Sequence, residues 1–221
     1  MDVCFLITTH NRQESCQRLV DALQGQGDIY VLNDGCDYDI SGVTEQIKRD
    51  YHFGKPGYWC TVNQLFNMRG KHEYYFMLPD DFLPTPDMVS RAVGLWENLR
   101  DGLCMCINLY PDRVGKRCWT NFYHIDMGDL WLTQWVDMCF ICKDEFFLQV
   151  GSITPIKFDW KRHPKASSGV GKFISNKLHN HGYHLYMVKE SLVIPQQEHQ
   201  NSKMNINNVI SSNSHITPAS R

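Results

Sequence analysis

Three short apolar runs in the first part of the chain each end in a cluster of polar residues. They lie within residues 2–12, 28–37 and 73–78, as VCFLI, IYVL and YYFML. Residues 13–25 and 58–70, between these runs, have apolar side chains at helical spacing, and Gly25 is a helix stop signal. Strands that alternate with helices favour a parallel sheet with right-handed crossovers. The sequence therefore predicts an α/β protein with a mostly parallel central sheet.

The same alternation continues toward the C-terminus. Helices are predicted at 85–102 and 169–182, strands at 103–110 and 183–193, and a strand to about Cys142 that precedes a short helix. Residues 111–129 are predicted to be irregular. Thr85 is the predicted N-cap of the helix at 85–102, with Pro86 at its first position. We expect one domain over 1–204 and a polar, flexible tail over 205–221.

Composition excludes several classes of protein. The chain has 22 Lys and Arg against 24 Asp and Glu, which disfavours a general polyanion binder but allows a local basic groove. No apolar run approaches the roughly 20 residues that span a bilayer. The first run is also too short for a signal peptide. Nine scattered cysteines favour free thiols in a reducing cytosol. The compact length would fit a viral or phage source.

Two cysteine pairs need to be considered as zinc ligands. Cys104 and Cys106 lie in one apolar run, and Cys139 and Cys142 lie in another. Structural zinc sites usually present thiols on a turn, and no turn residue separates the thiols here. The pattern favours buried thiols that act as small apolar side chains.

The polar strand ends are candidates for one shared site. Ligands of parallel sheets bind beyond the carboxyl ends of the strands. The first strand leads into TTHNR, so the glycine-rich dinucleotide fingerprint is missing, and no P-loop occurs. Asp80 and Asp81 are hard oxygen ligands that suit Mg²⁺ or Mn²⁺, which bridge carboxylates to a diphosphate. The alternative is that Pro79-Asp80-Asp81 only ends a strand and caps the next helix.

Three segments, taken in order and spacing, resemble a known family. ITTHNRQESCQRLVDAL, IYVLNDGCD and YYFMLPDDFLPTPDMV resemble the nucleotide-sugar glycosyltransferases of the GT-A fold, family 2-like. The resemblance covers residues 3–90 well and the C-terminal half more loosely. It implies a three-layer GT-A-like sandwich, with a nucleotide-sugar-binding half at 1–102 and an acceptor half at 103–204. It also implies transfer of a sugar from a nucleotide sugar, such as a UDP-sugar, to an acceptor hydroxyl, with Mn²⁺ or Mg²⁺ as cofactor.

The resemblance assigns roles to individual residues. The nucleotide pocket would be lined by Thr8, Thr9, Asn11 and Arg12. Asp34, followed by Gly35 in the NDG turn, would hydrogen-bond the base or ribose. Pro79 stands where the first acid of the family's metal motif usually lies. Asp81 would therefore carry the metal, and Asp80 would bind the metal, the sugar or a metal-bound water. A metal-independent variant also fits this departure.

The C-terminal segment EHQNSKM has a second match to the family. There a His followed by a Ser often closes over the diphosphate, which implies this role for His199 and Ser202. His199 would be a further metal ligand, and Lys203 would bind the donor and neutralise the leaving phosphate. The alternative is a solvated polar tail.

The catalytic base is the least determined part of the site. Inverting family members carry an acidic pair at the start of the late helix, where this chain reads SSGVG. Either the base lies elsewhere or the reaction retains configuration. Asp137 and Asp159 are the available carboxylates, and Asp137 is favoured because Trp135 beside it could stack on a sugar. The alternative for Asp137 is an ordinary acid at a strand end.

The acceptor stays open among a glycan, a small molecule, a protein and a modified nucleic-acid base. The aromatic and basic loop at 110–124 could bind sugars, stack on bases or act as a lid. A nucleotidyltransferase is an alternative function, although its usual glycine-rich loop is missing. A catalytically inactive sugar-nucleotide-binding module is another, because of Pro79 and the missing late acid.

Overall fold

The computed structural model of the protein describes residues 1–111, 124–164 and 166–196. The helices are α1 (Gln13–Leu23), α2 (Gly54–Met68), α3 (Met88–Asn98), α4 (Asp144–Val150) and α5 (Val170–Asn180). The first strands are β1 (Val3–Thr9), β2 (Asp28–Asn33), β3 (Glu45–Lys48), β4 (Tyr74–Pro79), β5 (Phe82–Pro84) and β6 (Cys104–Asn108). They are followed by β7 (Ile125–Asp126), β8 (Leu130–Thr133), β9 (Phe140–Cys142), β10 (His184–Val188) and β11 (Val193–Pro195).

The central sheet has the order β3-β2-β1-β4-β9-β6-β10-β8-β7 across the described residues. Strands β3, β2, β1 and β4 pair in parallel, as do β6 and β10. Strand β9 runs antiparallel between β4 and β6, and β8 runs antiparallel to β10. The predicted α/β class with a mostly parallel sheet is therefore confirmed. A separate small sheet pairs β11 with β5.

Helices cover both faces of the sheet, and the side chains of β1 point alternately toward the two faces. Val3, Phe5 and Ile7 pack in one core cluster with the apolar face of α1. Cys4 and Leu6 point the other way, into a second cluster that contains the apolar residues of α2 and α5. Successive side chains of a strand alternate between the two faces of its sheet. The result is three layers, with the strand ends left open at the sheet edge.

The N-terminal boundary of α3 differs from the sequence prediction. The helix begins at Met88, and Asp87 is the N-cap residue without a side-chain cap bond. Thr85 is therefore not the N-cap; its Oγ1 donates instead to the carbonyl of Leu192 at 3.2 Å. Its backbone N–H donates to the same carbonyl at 3.0 Å. Thr85 thus joins the chain after β5 to the chain before β11, a role that local sequence does not indicate.

Five strands have bounds that the apolar pattern did not give. Strand β3 lies in a polar stretch, β7 lies inside the segment that was predicted to be irregular, and β8 follows it directly. The predicted strand at 183–193 is divided between β10 and β11. Strands β3, β7 and β8 are short and partly exposed, so their side chains carry little alternation for a sequence pattern to detect.

The cysteines of β6 and β9 lie side by side in the core. Cys106 is paired with Cys142 in the strand register, and both are completely buried. Burial raises the pKa of both thiols well above the usual value, which keeps them uncharged. Within the described ranges, no cluster of three or more His, Cys, Asp or Glu side chains is placed to hold a metal. None of the helices described is both long and apolar enough to cross a membrane.

Candidate active site

Three parallel strands end side by side at one edge of the sheet. In the register of β1, Thr9 lies opposite Asn33 of β2 and Thr8 lies opposite Pro79 of β4. The residues that follow these strands therefore meet around the loop after β1. They line a cleft of about 550 Å³, called the strand-tip cleft below. Its described lining is Thr8, Thr9, His10, Asn11, Arg12, Asp34, His52, Gly54, Lys55, Tyr58, Thr61, Pro79, Asp80, Asp81 and Ser168.

The cleft brings together most of the residues expected to bind a donor: Thr8, Thr9, Asn11, Arg12, Asp34, Asp80 and Asp81. Gly35 lies directly behind Asp34 and has a φ of +86°. A Cβ at this position would lie 2.3 Å from the backbone nitrogen of His52. The turn therefore requires glycine for its backbone conformation and for the close approach of the next loop. The individual roles of these residues remain predictions.

Arg12 provides a positive charge beside the two adjacent acids. Its Nη2 lies 2.7 Å from Oδ1 of the buried Asp80, and its Nη1 lies 3.3 Å from Oδ2 of Asp81. Asp80 Oδ2 also accepts hydrogen bonds from Thr9 Oγ1 at 2.8 Å and from Arg12 Nε at 3.2 Å. Burial raises the pKa of Asp80 to about 6, although Arg12 and Thr9 act in the opposite direction. A guanidinium of the chain thus offsets the charge that the sequence analysis assigned to a metal ion.

The raised pKa of Asp80 predicts a specific dependence of stability on pH. The folded carboxyl binds its proton more tightly than the unfolded one, so ionisation costs stability as the pH rises from about 4 to about 6. In the Asp80→Asn variant this contribution is absent. The wild-type free energy of unfolding, relative to the variant, should fall by roughly 3 kcal/mol over this range. Urea unfolding of both proteins with EDTA would measure the difference, and parallel pH profiles would contradict the prediction.

Asp34 is held by the side chains of Arg49 and His52 beneath the cleft. Its carboxylate accepts a hydrogen bond from Arg49 Nη1 at 3.0 Å, and its Oδ2 lies 2.8 Å from His52 Nδ1. Arg49 donates further to Thr61 Oγ1 and to Gln64 Oε1. Sequence reasoning missed Arg49 because it did not detect β3, the strand that brings this arginine beside β2. The signal available was the short run EQIK that precedes it.

Aromatic rings also line the cleft, and they too were missed from the sequence. The imidazoles of His10 and His52 stack with centroids 3.6 Å apart at 10°. The Tyr58 hydroxyl lies 3.4 Å from Thr8 Oγ1. Burial raises the pKa of Tyr58 to about 12, and the charges of Asp80, Asp137 and Asp81 act in the same direction. Flat rings and charged side chains therefore line the same cleft.

Asp137 and Asp159 have different positions relative to the cleft. In the antiparallel register of β9 and β4, Phe140 lies opposite Met77, so Asp137 comes before β9 at the edge where β4 ends. Asp137 also acts electrostatically on Tyr58, which lines the cleft. Asp159 is exposed, and its Oδ1 accepts the backbone N–H of Arg162 at 3.0 Å. Of these two carboxylates, Asp137 lies at the sheet edge where β4 ends without lining the cleft itself, and Asp159 lies in a surface turn.

The chain leaves the described region directly beside the acidic pair. The Gln196 backbone N–H donates to the carbonyl of Asp81 at 2.8 Å, and its Nε2 donates to the carbonyl of Asp80 at 2.9 Å. This arrangement follows from the pairing of β11 with β5, the strand that comes after Asp81. The predicted ligands His199, Ser202 and Lys203 lie outside the described residues. So does most of the aromatic loop at 110–124.

Comparison with known proteins gives the fold but no close relative. No protein-family model and no curated protein sequence matches the chain. Residues 1–349 of TarS from S. aureus match it with a TM-score of 0.58 and 11% identity, over 98% of this chain and 67% of that one. GalNAc-T7, crystallised with UDP, GalNAc and Mn²⁺, matches with a TM-score of 0.57 and 12% identity, over 85% of this chain. The match spans 42% of the GalNAc-T7 chain. The protein therefore has the GT-A fold of nucleotide-sugar glycosyltransferases.

Proposed function

We propose that the protein transfers a sugar from a nucleoside-diphosphate sugar to an acceptor hydroxyl, with the help of a divalent cation. The observation that carries this proposal is the strand-tip cleft, where Arg12, Asp34 and the Asp80-Asp81 pair meet at the carboxyl ends of parallel strands. The presence of UDP, a sugar and Mn²⁺ on the similar fold of GalNAc-T7 supports it.

The residues of the cleft fit a divalent cation if Asp81 is its main protein ligand. Mg²⁺ and Mn²⁺ commonly use one or two carboxylates, with water and substrate phosphates completing the shell. Asp80 is turned toward Thr9 and Arg12, whereas the side chain of Asp81 is 15% exposed at the cleft. A bound ion would offset negative charge on the leaving diphosphate.

The residues of the chain itself would bind and orient the donor. Arg12 lines the cleft with a side chain that is 34% exposed, and its guanidinium can bind a phosphate while it remains beside Asp80. The stacked rings of His10 and His52 offer a flat surface to a nucleobase. The NDG turn, with Asp34 fixed by Arg49, would hold the position of these rings, since both His Nδ1 atoms lie within 3.1 Å of the Asp34 carbonyl oxygen.

Asp137 is our candidate for the acceptor side of the reaction. It would take the proton of the acceptor hydroxyl as the oxygen bonds to the anomeric carbon and the bond from that carbon to the diphosphate breaks. Its backbone N–H donates to Asn108 Oδ1 at 2.9 Å, and its Oδ1 accepts from Met138 N at 2.9 Å. These bonds fix its position at the sheet edge. Asp159 is the alternative carboxylate, tested by the same assay.

Asp81→Ala should reduce donor hydrolysis by about 100-fold or more, because the cation loses its main protein ligand. The assay incubates the protein with a panel of nucleotide sugars and Mn²⁺ and measures the free nucleoside diphosphate. Asp39→Ala, which removes an exposed acid outside the cleft, is the matched control. Asp137→Asn should retain donor binding and lose transfer, whereas Asp159→Asn should retain both.

Several outcomes would contradict the proposal. Failure of the protein to bind any sugar nucleotide would refute the proposed transfer. Full activity in EDTA would show that the reaction needs no cation, while the proposed sugar transfer would still stand. Release of pyrophosphate from a nucleoside triphosphate and a sugar phosphate would indicate a nucleotidyltransferase. Donor binding without turnover on any acceptor would indicate a binding module.

A further inference from the structure

A second cleft adjoins the strand-tip cleft and is lined by aromatic side chains. Its volume is about 510 Å³, and Ser168 lines both clefts. The rings that line it belong to Trp135, Phe158, Trp160 and Phe173. We call it the aromatic cleft. Its junction with the first cleft places whatever it binds beside the proposed donor site.

The aromatic rings reach the surface to different extents: Phe158 is exposed, whereas Trp135, Trp160 and Phe173 are half-buried, and Phe173 also packs against the core. Trp160 Nε1 donates to the carbonyl of Ser167 at 3.0 Å, and the rings of Phe158 and Trp160 lie 5.2 Å apart. Phe158 is 48% exposed. Exposed aromatic surface grouped in a concave site is typical of a binding surface, and flat ligands cover it most completely.

Positive charge is concentrated in the segment that forms the aromatic cleft. Residues 151–172 contain five of the 22 Lys and Arg residues of the chain but one of its 24 Asp and Glu residues. Lys157 and Lys172 line the cleft, and Lys161 and Arg162 are exposed in the adjacent turn. No carboxylate is among the described residues that line it. A ligand that carries negative charge therefore matches this surface although the whole protein has a net charge of -2.

The start of α5 adds to this positive potential. The helix begins at Val170 after Gly169, and no side chain caps its first turn. Gly169 and Lys172 both line the aromatic cleft, so the N-terminal end of α5 lies at the cleft wall. Backbone N–H groups at a helix N-terminus favour phosphate. The cleft thus combines flat rings with groups that bind phosphate.

We infer that the aromatic cleft binds single-stranded nucleic acid, with bases stacked on the rings and phosphates near Lys157 and Lys172. Stacking platforms within a positively charged groove are the usual means of binding single strands. The polar uncharged side chains of the described lining, Ser167, Ser168 and Asn176, could bind a neutral glycan, but Lys157 and Lys172 match the charge of a phosphate backbone better. A duplex keeps its bases stacked on one another and would not present their faces.

This inference also names an acceptor class, a nucleic-acid strand, and this part of it rests on the proposed function. A base or ribose hydroxyl of the strand would lie near Ser168, next to the donor. The acceptor oxygen would form the glycosidic bond, the nucleoside diphosphate would leave, and the acceptor proton would pass to Asp137. Binding of the strand does not itself depend on the donor, so the two proposals can fail separately.

Fluorescence anisotropy with a labelled oligothymidylate tests the inference on the full chain. We expect binding that weakens as salt is added, and a duplex of the same length should bind more weakly. Phe158→Ala should weaken oligothymidylate binding by about tenfold, because one stacked base loses its partner. The double variant Lys157→Gln/Lys172→Gln should bind oligothymidylate more weakly, and its binding should depend less on salt. Leu148→Ala and Lys71→Gln, at exposed positions outside the cleft, are the matched controls.

Calorimetry with UDP and Mn²⁺ on the same proteins separates the two proposals. If these variants bind UDP normally and lose the oligonucleotide, the aromatic cleft is a separate subsite, as expected. If the wild type binds the oligonucleotide but not UDP, the proposed function fails and the nucleic-acid site stands. If the wild type does not bind the oligonucleotide, the inference is overturned. Equal binding of heparin, with no effect of Phe158→Ala, would show attraction by charge alone and would overturn it too.

A crosslinking experiment needs no variant. An oligonucleotide that contains bromodeoxyuridine should crosslink on irradiation to the peptide that carries Phe158 and Trp160. Peptide mapping by mass spectrometry would identify the attached segment. A crosslink confined to other parts of the chain would refute the assignment even if affinity is high.

Discussion

Arg49→Met is expected to lower the free energy of unfolding by about 3–5 kcal/mol, because it leaves the carboxylate of Asp34 buried without its arginine. The side chains of Arg49 and Asp34 are 8% and 6% exposed. The variant also removes the bonds to Thr61 and Gln64. Urea unfolding at pH 7 measures the loss. His52 Nδ1 lies 2.8 Å from the other oxygen of Asp34 and remains beside it in the variant.

Two further variants are needed to interpret the loss of stability in Arg49→Met. Arg91→Met removes an ion pair with Glu190 whose side chains are 41% and 81% exposed, and should cost less than about 1 kcal/mol. The double variant Asp34→Asn/Arg49→Met removes both charges and should be more stable than Arg49→Met alone. If Arg49→Met and Arg91→Met were equally stable, Arg49 would not be the residue that compensates Asp34.

Gly171→Ala should destabilise the protein by about 2–3 kcal/mol, although alanine is the better helix former. A Cβ at this position would lie 2.3 Å from the backbone oxygen of Val136 and 3.3 Å from Trp135 Cζ2. The backbone there cannot yield easily, because Val136 N donates to the buried Ser175 Oγ at 2.9 Å. Thermal unfolding of the variant would measure the loss. The segment that carries Asp137 would be displaced, so the proposed sugar transfer should fall as well.

Gly94→Ala is the matched control, since this glycine also lies in a helix, α3. A Cβ at Gly94 would have no atom within 4 Å, and its backbone φ is not in the left-handed region. This substitution should therefore stabilise the protein by about 0.5–1 kcal/mol. Opposite signs for the two variants are the expected result. A gain in stability for Gly171→Ala would show that α5 does not press on the chain at Val136.

The sequence predicted the elements whose side chains carry a strong pattern. The run at 13–25 shows this best: Cys16, Leu19, Val20 and Leu23 are buried on one face of α1, and Gly25 follows with a φ of +75°. The buried strands β1, β2 and β4 were equally clear because they are apolar and end in turn residues. The predicted ends of helices and strands were wrong where contacts between distant parts of the chain determine them. Thr85 is an example, because it binds Leu192 rather than capping α3.

The sequence likewise predicted one part of the candidate site and not the other. The grouping of Thr9, Arg12, Asp34 and Asp80 followed from the rule that parallel strands end together. The partners of the acids did not follow from it. The sequence analysis assigned the charge of the Asp80-Asp81 pair to a metal, whereas the structure shows Arg12 beside both acids. It did not find Arg49 for Asp34, because that pair depends on the pairing of β3 with β2, and only the short run EQIK indicates β3 in the sequence.

By itself, the sequence determined the alternation of strands and helices, and with it the sheet edge at which a ligand would bind. This is because apolar periodicity and turn residues act over a few neighbouring positions. Only the tertiary structure decided which charges pair, which glycines are required by close contact, and that the aromatic surface at Phe158 adjoins the strand-tip cleft. These features depend on distances between segments far apart in the chain, and such distances are fixed only once the sheet and its helices have packed.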